Sequence, residues 1–567
     1  MSGVVDSILY SDVLLAIMRY LAPVLALLLL IRCGKPLLTF RRQPELWGHM
    51  IIGNDRRPIY HWENVIGRSK RCDICVDFPT VSRNHAVLTR YDDGSWTITD
   101  AHSKDGVLVN GQLVQIHALQ QEDVITIGGV EMYLEPATPE QEKRMAKARR
   151  KASTGVDSIA NLLLLTTLQV LTCLCFLLGG AGGDALRILM GFGSIMALQW
   201  GLLIFYLFIR RPAFEVETIA FFLCTMGMGV ICSVTPGETM KQVLAIVLGL
   251  AVFLAVGWSL RDLERAKVFR ILAALGGVAL LAVTLLFGKE YYGAKNWLAI
   301  GAFSFQPSEL AKICFVYVGA SAMDRLMNKR NLILFIAYTI IICALLALMN
   351  DFGTALIFFC AFLVIAFLRS GSVGTIALAC TALGFAGVIG IKIAPHALQR
   401  FASWRHIWDD PLGAGYQQTR ALMCIASGGL FGVGVGAGEM KRIFAADSDM
   451  VFATLSEEWG LVMSFIAVLC IVVLALFALR SAQVSRSSFY TIGSCTAAGI
   501  LLVQTSFNVL GTVDILPLTG VTFPFLSNGG SSMICVWGLL AFIKAADTRK
   551  NASFAVRLLK GRRRFDV

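Results

Sequence analysis

Apolar runs of about 20 residues, the length that crosses a bilayer core, recur along most of this chain. One stretch replaces them with short period-two alternation. The apolar template gives about thirteen spans: 13–31, 159–180, 186–209, 217–236, 240–260, 268–288, 307–327, 331–350, 353–369, 374–394, 451–479, 489–511 and 529–547. Between the first and second, from Leu46 to Leu134, stand runs such as Trp96-Thr97-Ile98-Thr99 and Val107-Leu108-Val109. Asp92-Asp93-Gly94, Asp105-Gly106 and Asn110-Gly111 punctuate them, and such pairs mark tight hairpins. Many short strands at this spacing predict a small β-sandwich.

Composition agrees with a membrane protein: 56% of the 567 residues are hydrophobic and 16% charged, and the mean hydropathy is +0.68. An ordinary soluble globule is excluded. The net charge of +12 does not point to nucleic acid, because the basic residues sit beside spans, as in Arg32–Arg42, Lys143–Lys151, Arg210-Arg211, Arg261–Lys267, Arg325–Arg330 and Arg557–Arg564. Basic loops mark the cytoplasmic side, with anionic membrane lipid as their partner. This alternation puts the 46–134 segment and the C-terminus inside, and residues 289–306 and 395–450 outside. The first span has its basic flank on the C-terminal side and no cleavage signal, so it reads as an anchor. Most of the fifteen cysteines lie in apolar runs as buried hydrophobes. Cys72 and Cys75 form a lone Cys-x-x-Cys without a second pair.

Gly67-Arg68, Ser82-Arg83-Asn84-His85, Asp105-Gly106 and Val109-Asn110-Gly111 follow one another inside the β-like segment. In order and spacing they resemble the forkhead-associated (FHA) domain, a phosphothreonine-binding module. The resemblance implies that Arg68 and Ser82 take the phosphate through charge-assisted bonds, that Arg83 helps select the peptide, and that His85 and Asn110 are structural. Asp105 occupies the position where the family usually has an Asn on the peptide backbone, and its negative charge weakens phosphate binding.

Polar residues at membrane depth carry the remaining chemistry. Glu309 and Lys312 are three apart on a helix begun by Pro307, so they share a face; Asp351 stands at a span boundary, and Glu457-Glu458 interrupt an apolar run. Between spans, Asp409 and Asp410 lie in a Pro/Gly-rich loop with Arg405, Trp404, Trp408 and Tyr416. A positioned carboxylate can serve as general base, and cations can stabilise a departing diphosphate.

These residues fall in ordered motifs: Gly293-Ala294-Lys295-Asn296-Trp297, Gln306-Pro307-Ser308-Glu309-x-x-Lys312, Asp351-x-Gly353-Thr354-Ala355, Asp410-Pro411-x-Gly413-x-Gly415-Tyr416-Gln417, Glu457-Glu458-x-Gly460, and Pro517-x-Thr519-Gly520 with Pro524-Phe525-x-Ser527-x-Gly529-Gly530-Ser531. Together, over about 214–548, they resemble the SEDS family of bacterial cell-wall polymerases, the RodA, FtsW and SpoVE type. The resemblance implies a peptidoglycan glycosyltransferase that polymerises lipid II on the outer face of the cytoplasmic membrane, with a class B penicillin-binding protein as partner. Asp410 would be its catalytic carboxylate. Lys295, Trp297, Glu309, Lys312, Arg405, Tyr416, Gln417, Glu457 and Ser531 would line the substrate site, and a divalent cation, Mg2+ or Mn2+, has a place beside the diphosphate. Two departures stand out: Phe444-Ala445-Ala446-Asp447-Ser448-Asp449 where Leu-Pro-x-x-His-Thr-Asp is usual, and Asn528 where an aromatic is common. The run Gly432-x-Gly434-x-Gly436-x-Gly438 lacks dinucleotide or Walker spacing and predicts close backbone packing.

The expectation is a polytopic α-helical membrane protein with a ten-span SEDS core, about three extra N-terminal spans and a small cytoplasmic all-β FHA-like sandwich. Its parts are an anchor (1–45), the sandwich (46–136), a basic linker (137–157), an extra hairpin (158–213), the SEDS domain (214–548) and a basic tail (549–567). A threonine-phosphorylated regulator would dock on the sandwich. A lipid II flippase and a phosphorylation-responsive scaffold are the alternatives.

Overall fold

The computed structural model describes residues 2–39, 46–141, 154–324, 329–384, 402–482, 487–549 and 552, apart from 71, 91–93, 102, 180–183, 262, 292–293, 301–302, 371–372, 375 and 382–383. Helix α1 (Ser2–Leu38) precedes a sandwich. Then come α2 (Gly155–Leu178), α3 (Ala185–Phe208), α4 (Glu215–Val234), α5 (Thr239–Ser259), α6 (Leu263–Phe287), α7 (Pro307–Asp324), α8 (Lys329–Leu348), α9 (Phe352–Ser370), α10 (Tyr416–Gly428), α11 (Val451–Ala482), α12 (Ser488–Thr512) and α13 (Gly530–Ala545). Among the described residues, eight helical segments are long and apolar enough to span a membrane, and three shorter apolar helices accompany them. Twelve of the expected spans coincide with helices; the span expected at 374–394 lies mostly outside the described residues.

The sandwich holds β1 (Gly48–Ile52), β2 (Asp55–Ile59), β3 (Glu63–Gly67), β4 (Ile74–Cys75), β5 (Ala86–Arg90), β6 (Trp96–Asp100), β7 (Val107–Val109), β8 (Gln112–Val114), β9 (Ile116–Leu119), β10 (Val124–Ile127) and β11 (Val130–Pro136). They form sheets ordered β2-β1-β11-β10-β7-β8 and β4-β3-β5-β6-β9. Met50, Ile66, Leu88, Ile98, Ile125 and Met132 meet in a core of their own, fed by alternate positions of each strand. Asn110 (φ 52°) and Gly111 (φ 79°) make the expected hairpin between β7 and β8, because a two-residue turn of that hand needs positive φ at both positions. Asp105-Gly106 differs from the expectation. It joins β6 and β7, which lie in different sheets, so it is a crossing loop and not a hairpin.

The extra N-terminal helices are packed onto the rest of the bundle: α1 lies on α11 and α2, and α3 on α4 and α5. In an apolar surround, side-chain hydrogen bonds between helices supply register. Gln169 and Gln199 exchange amides at 3.0 and 2.7 Å, and Gln169 also donates to Thr225 at 2.9 Å. At one end of the bundle, buried Lys544 donates to Glu217 (3.0 Å) and to the Ala213 carbonyl (2.8 Å), and Tyr206 donates to the other Glu217 oxygen (2.9 Å). Buried Arg549 joins Asp547 and Glu215 beside them. The sandwich touches this same end, where Ser488 at the start of α12 donates to Glu63 at 2.9 Å.

Two features were not legible as spans or loops. Residues 289–306 hold a sheet of β12 (Lys289–Tyr291), β13 (Ala294–Ile300) and β14 (Phe303–Phe305). Helix α11 is broken at Gly460 (φ 85°, ψ 164°). The glycine run supplies the reason: Val433 and Gly434 donate to the carbonyls of Glu457 and Glu458, and Leu461 and Val462 donate to those of Gly429 and Leu430. A Cβ at Gly432 would overlap the Glu458 carbonyl, and one at Gly460 the Leu430 carbonyl. Glycine is required at both because two backbones run in contact.

Candidate functional site

The polar motifs gather at the end of the bundle opposite Glu63 and Ser488. Asp351 caps α9: one carboxylate oxygen accepts from Thr354 N (3.1 Å), the other from the amides of Asn296 (3.1 Å) and Gln306 (3.3 Å). An aspartate at this position satisfies an orphan helix N–H, and here its second oxygen also binds β13 and the start of α7. Gln306 N donates to buried Ser531 Oγ at 3.2 Å, tying α7 to α13. A Cβ at Gly353 would meet the Thr519 carbonyl at 3.0 Å, so the Asp351 and Thr519 motifs are in contact. Four of the six motifs, spread over more than two hundred residues, are thus in contact with one another.

Asp410 stands on the exposed loop that leads into α10. Its carboxylate accepts from Gly413 N and Ala414 N, both at 3.0 Å, and a Cβ at Gly413 would overlap it. An aspartate side chain closes such turns on nearby backbone N–H groups readily, which fixes the carboxylate's direction. Asp409 pairs instead with His406 at 3.1 Å. Gly415 packs against the Ile407 backbone, closing the loop on itself. The loop reaches the bundle at its flanks, where Trp404 Nε1 donates to Ile515 O (3.2 Å) and buried Gln418 donates to Gly511 O (3.1 Å).

The other residues singled out in the sequence fall into layers around it. Glu309 and Lys312 are buried and pair with each other at 2.7 Å. Glu457 is buried and accepts from the N–H groups of Glu439 (3.0 Å) and Met440 (2.8 Å), so it holds the segment after the glycine run. Lys295 and Trp297 are half-buried on β13. Arg405 turns its guanidinium over the Trp404 ring, 5.1 Å from the centroid, and Arg420 lies 5.4 Å over Tyr416; Gln417 is half-buried beside them. Neither Lys295 nor Arg405 forms an ion pair with Asp410. Asn296 and Gln306 stood in the motifs without an assigned role, and Asn508 stood outside them; in the fold all three join the motifs. Asn508 donates to the carbonyls of Asp449 and Val521, both at 2.9 Å.

On the sandwich, Arg68, Ser82, Arg83 and Asp105 sit on the loops at one edge. Arg68 is half-buried and donates to the Pro79 carbonyl at 3.1 Å, while Arg83 and Asp105 are exposed. Ser82 Oγ accepts from Lys104 N at 3.0 Å. Buried His85 accepts from Ser82 N on Nδ1 (3.1 Å), so its Nε2 is the donor to Gly106 O (2.9 Å). His85 thereby staples the loop carrying Ser82 to the loop carrying Asp105. Asn110 Oδ1 accepts from Val124 N (2.9 Å) and its amide donates to Asp123 (2.8 Å). Cys72 and Cys75 are free thiols; Cys72 donates to the Arg83 carbonyl at 3.2 Å, and burial pushes its pKa up to about 11.

The FtsW/RodA/SpoVE model, described as "cell cycle protein", matches residues 220–552, and the FHA domain model matches residues 64–128. The peptidoglycan glycosyltransferase RodA of Mycobacterium tuberculosis is 30% identical over 325 residues, covering 53% of this chain and 69% of its own. The probable peptidoglycan glycosyltransferase FtsW of Tolumonas auensis is 30% identical over 360 residues, covering 60% and 93%. A solved chain from a peptidoglycan synthase complex shares the fold, at 24% identity and a TM-score of 0.50, over 58% of this chain and 96% of that one. The chain is a multi-pass membrane protein that belongs to the FtsW/RodA/SpoVE family and carries an FHA domain ahead of the family core.

Proposed function

We propose that this protein is a peptidoglycan glycosyltransferase that polymerises lipid II, with Asp410 as its catalytic carboxylate. The observation that carries the reading is the Asp410 turn: an exposed carboxylate, aimed by Gly413 N and Ala414 N, next to the joined motifs of a family whose relatives bear that activity in their names. Joining two lipid-linked sugars requires loss of a proton from the acceptor hydroxyl as the bond from the donor's anomeric carbon to its diphosphate breaks. Asp410 takes that proton. The diphosphate is pre-activated as a leaving group, so a second carboxylate of the hydrolase kind is unnecessary. Among the described residues no group of three or more His, Cys, Asp or Glu side chains is placed to hold a metal ion; a divalent cation at this site would be held by one or two carboxylates together with the substrate's diphosphate.

The basic flanks of the helices favour an arrangement with the FHA domain inside and the Asp410 loop outside. Arg68, Ser82 and Arg83 suit a phosphothreonine peptide on the FHA domain, supplied by a phosphorylated cell-wall or division regulator, and a class B penicillin-binding protein is the expected synthetic partner. Incubating the purified protein with lipid II, without another glycosyltransferase, tests the central claim. Wild type should form glycan strands, and Asp410→Ala and Asp410→Asn should lose about 10²-fold or more while remaining folded. Polymerisation by Asp410→Ala at the wild-type rate refutes the assignment; transport of lipid II without polymer would favour a flippase.

A further inference from the structure

The loop that presents Asp410 is tied at both flanks to a single side chain beyond the end of α12. Asp514 Oδ1 accepts from Arg405 N at 3.3 Å, on the N-terminal side of the loop. The same oxygen accepts from Gln418 Nε2 at 3.4 Å, on its C-terminal side. Gln418 is buried and its amide also reaches Gly511 O, so its direction is fixed from within the bundle.

The backbone at this contact is unusual on both partners. Asp514 has φ 59° and Arg405 φ 62°, a left-handed conformation that glycine takes freely and that other residues adopt at a steric penalty. Just past a helix end this is the position where glycine or asparagine commonly stands. A chain that only needed to leave the helix would be served by glycine. Aspartate adds one thing there, a carboxylate in reach of both loop flanks.

We propose that Asp514 is a positioning residue for the glycosyl transfer, a clasp that holds the Asp410 loop onto the end of α12. The proposal rests on the reading of Asp410 as the base. The Asp410 carboxylate is aimed only by its own turn, so the turn must be fixed relative to the motif assembly for the base to meet its proton. Beside the Trp404–Ile515 and Gln418–Gly511 contacts, Asp514 joins both flanks through one carboxylate oxygen, and small misplacements of a reacting group lower rates steeply.

The test uses full-length protein in detergent or nanodiscs, with two readouts: lipid II polymerisation, and amide exchange at Gly413 and Ala414. Asp514→Gly keeps the left-handed backbone without strain and removes the acceptor. It should lower kcat by about tenfold or more with KM within about twofold, and speed exchange at both amides. Asp514→Ala should do the same. Asp514→Asn keeps the Oδ1 acceptor and tolerates positive φ, and should restore both readouts to near wild type. Wild-type kcat and exchange in Asp514→Gly overturn the clasp, as does an Asp514→Asn variant as slow as Asp514→Gly. The exchange readout does not depend on what Asp410 does: polymerisation by Asp410→Ala would sink the base assignment, and unchanged exchange in Asp514→Gly would sink the clasp.

Discussion

Asn528 holds Asp447 twice: its side-chain amide donates to the Asp447 carboxylate at 2.8 Å, and its backbone N–H donates to the Asp447 carbonyl at 2.7 Å. Thr235 completes the contact, donating to the same carboxylate oxygen at 2.6 Å. Both positions stood out in the sequence as departures from the pattern that the resemblance implies, and in the fold they meet.

The pair should therefore be coupled. Asn528→Ala and Asp447→Ala should each lower stability by about 1–2 kcal/mol, and the double variant should fall short of their sum. Asp447→His combined with Asn528→Phe should recover more than either alone. Thermal unfolding of the detergent-solubilised protein measures all of these, and strict additivity would argue against the coupling.

Gly460 is held at φ 85°, ψ 164°, a region open essentially to glycine alone. Gly460→Ala should destabilise the protein by about 3 kcal/mol or more, from backbone strain plus overlap with the Leu430 carbonyl. Gly237, whose Cβ would meet nothing within 4 Å, is the control, and Gly237→Ala should leave the melting temperature nearly unchanged.

Lys544 and Glu217 pair with both side chains fully buried. Lys544→Met removes the partner and leaves a carboxylate uncompensated, which should cost about 3–5 kcal/mol. Adding Glu217→Gln should recover much of that loss, because no charge then remains to be desolvated. A double variant no better than Lys544→Met would mean that packing around Tyr206, and not charge, sets the cost.

The FHA domain should lose stability in acid through Asp123. The Gln120 backbone N–H first, then the Asn110 amide and His117, hold its carboxyl below the usual carboxylate range. A depressed carboxylate contributes its stability in full above its unfolded value of about 3.9 and loses it as pH falls through the folded value. Urea melts of residues 46–141 between pH 6 and 3 should show this loss, and Asp123→Asn should flatten it. The same segment should lose affinity for a phosphothreonine peptide in Arg68→Ala while keeping its melting midpoint.

Much of the architecture is local and so was written in the chain. Apolar run length sets which segments become helices, period-two alternation and Asn110-Gly111 set the sandwich, and the basic flanks distinguish the two ends. The Asp410 turn is local as well, since a carboxylate and the amides three and four residues on close it without outside help. Contacts that join distant segments were decided only by the tertiary structure. A pattern of hydrophobicity cannot say that Asp447 meets Asn528, that Asp351 gathers Asn296 and Gln306, or that Asp105-Gly106 crosses between sheets. Nor could it show that the glycine run breaks α11 at Gly460, because that break arises from two backbones forced into contact. The sequence singles out Asp410; that the flanks of its loop meet Asp514, about a hundred residues away, through Arg405 N and Gln418 is visible only in the fold.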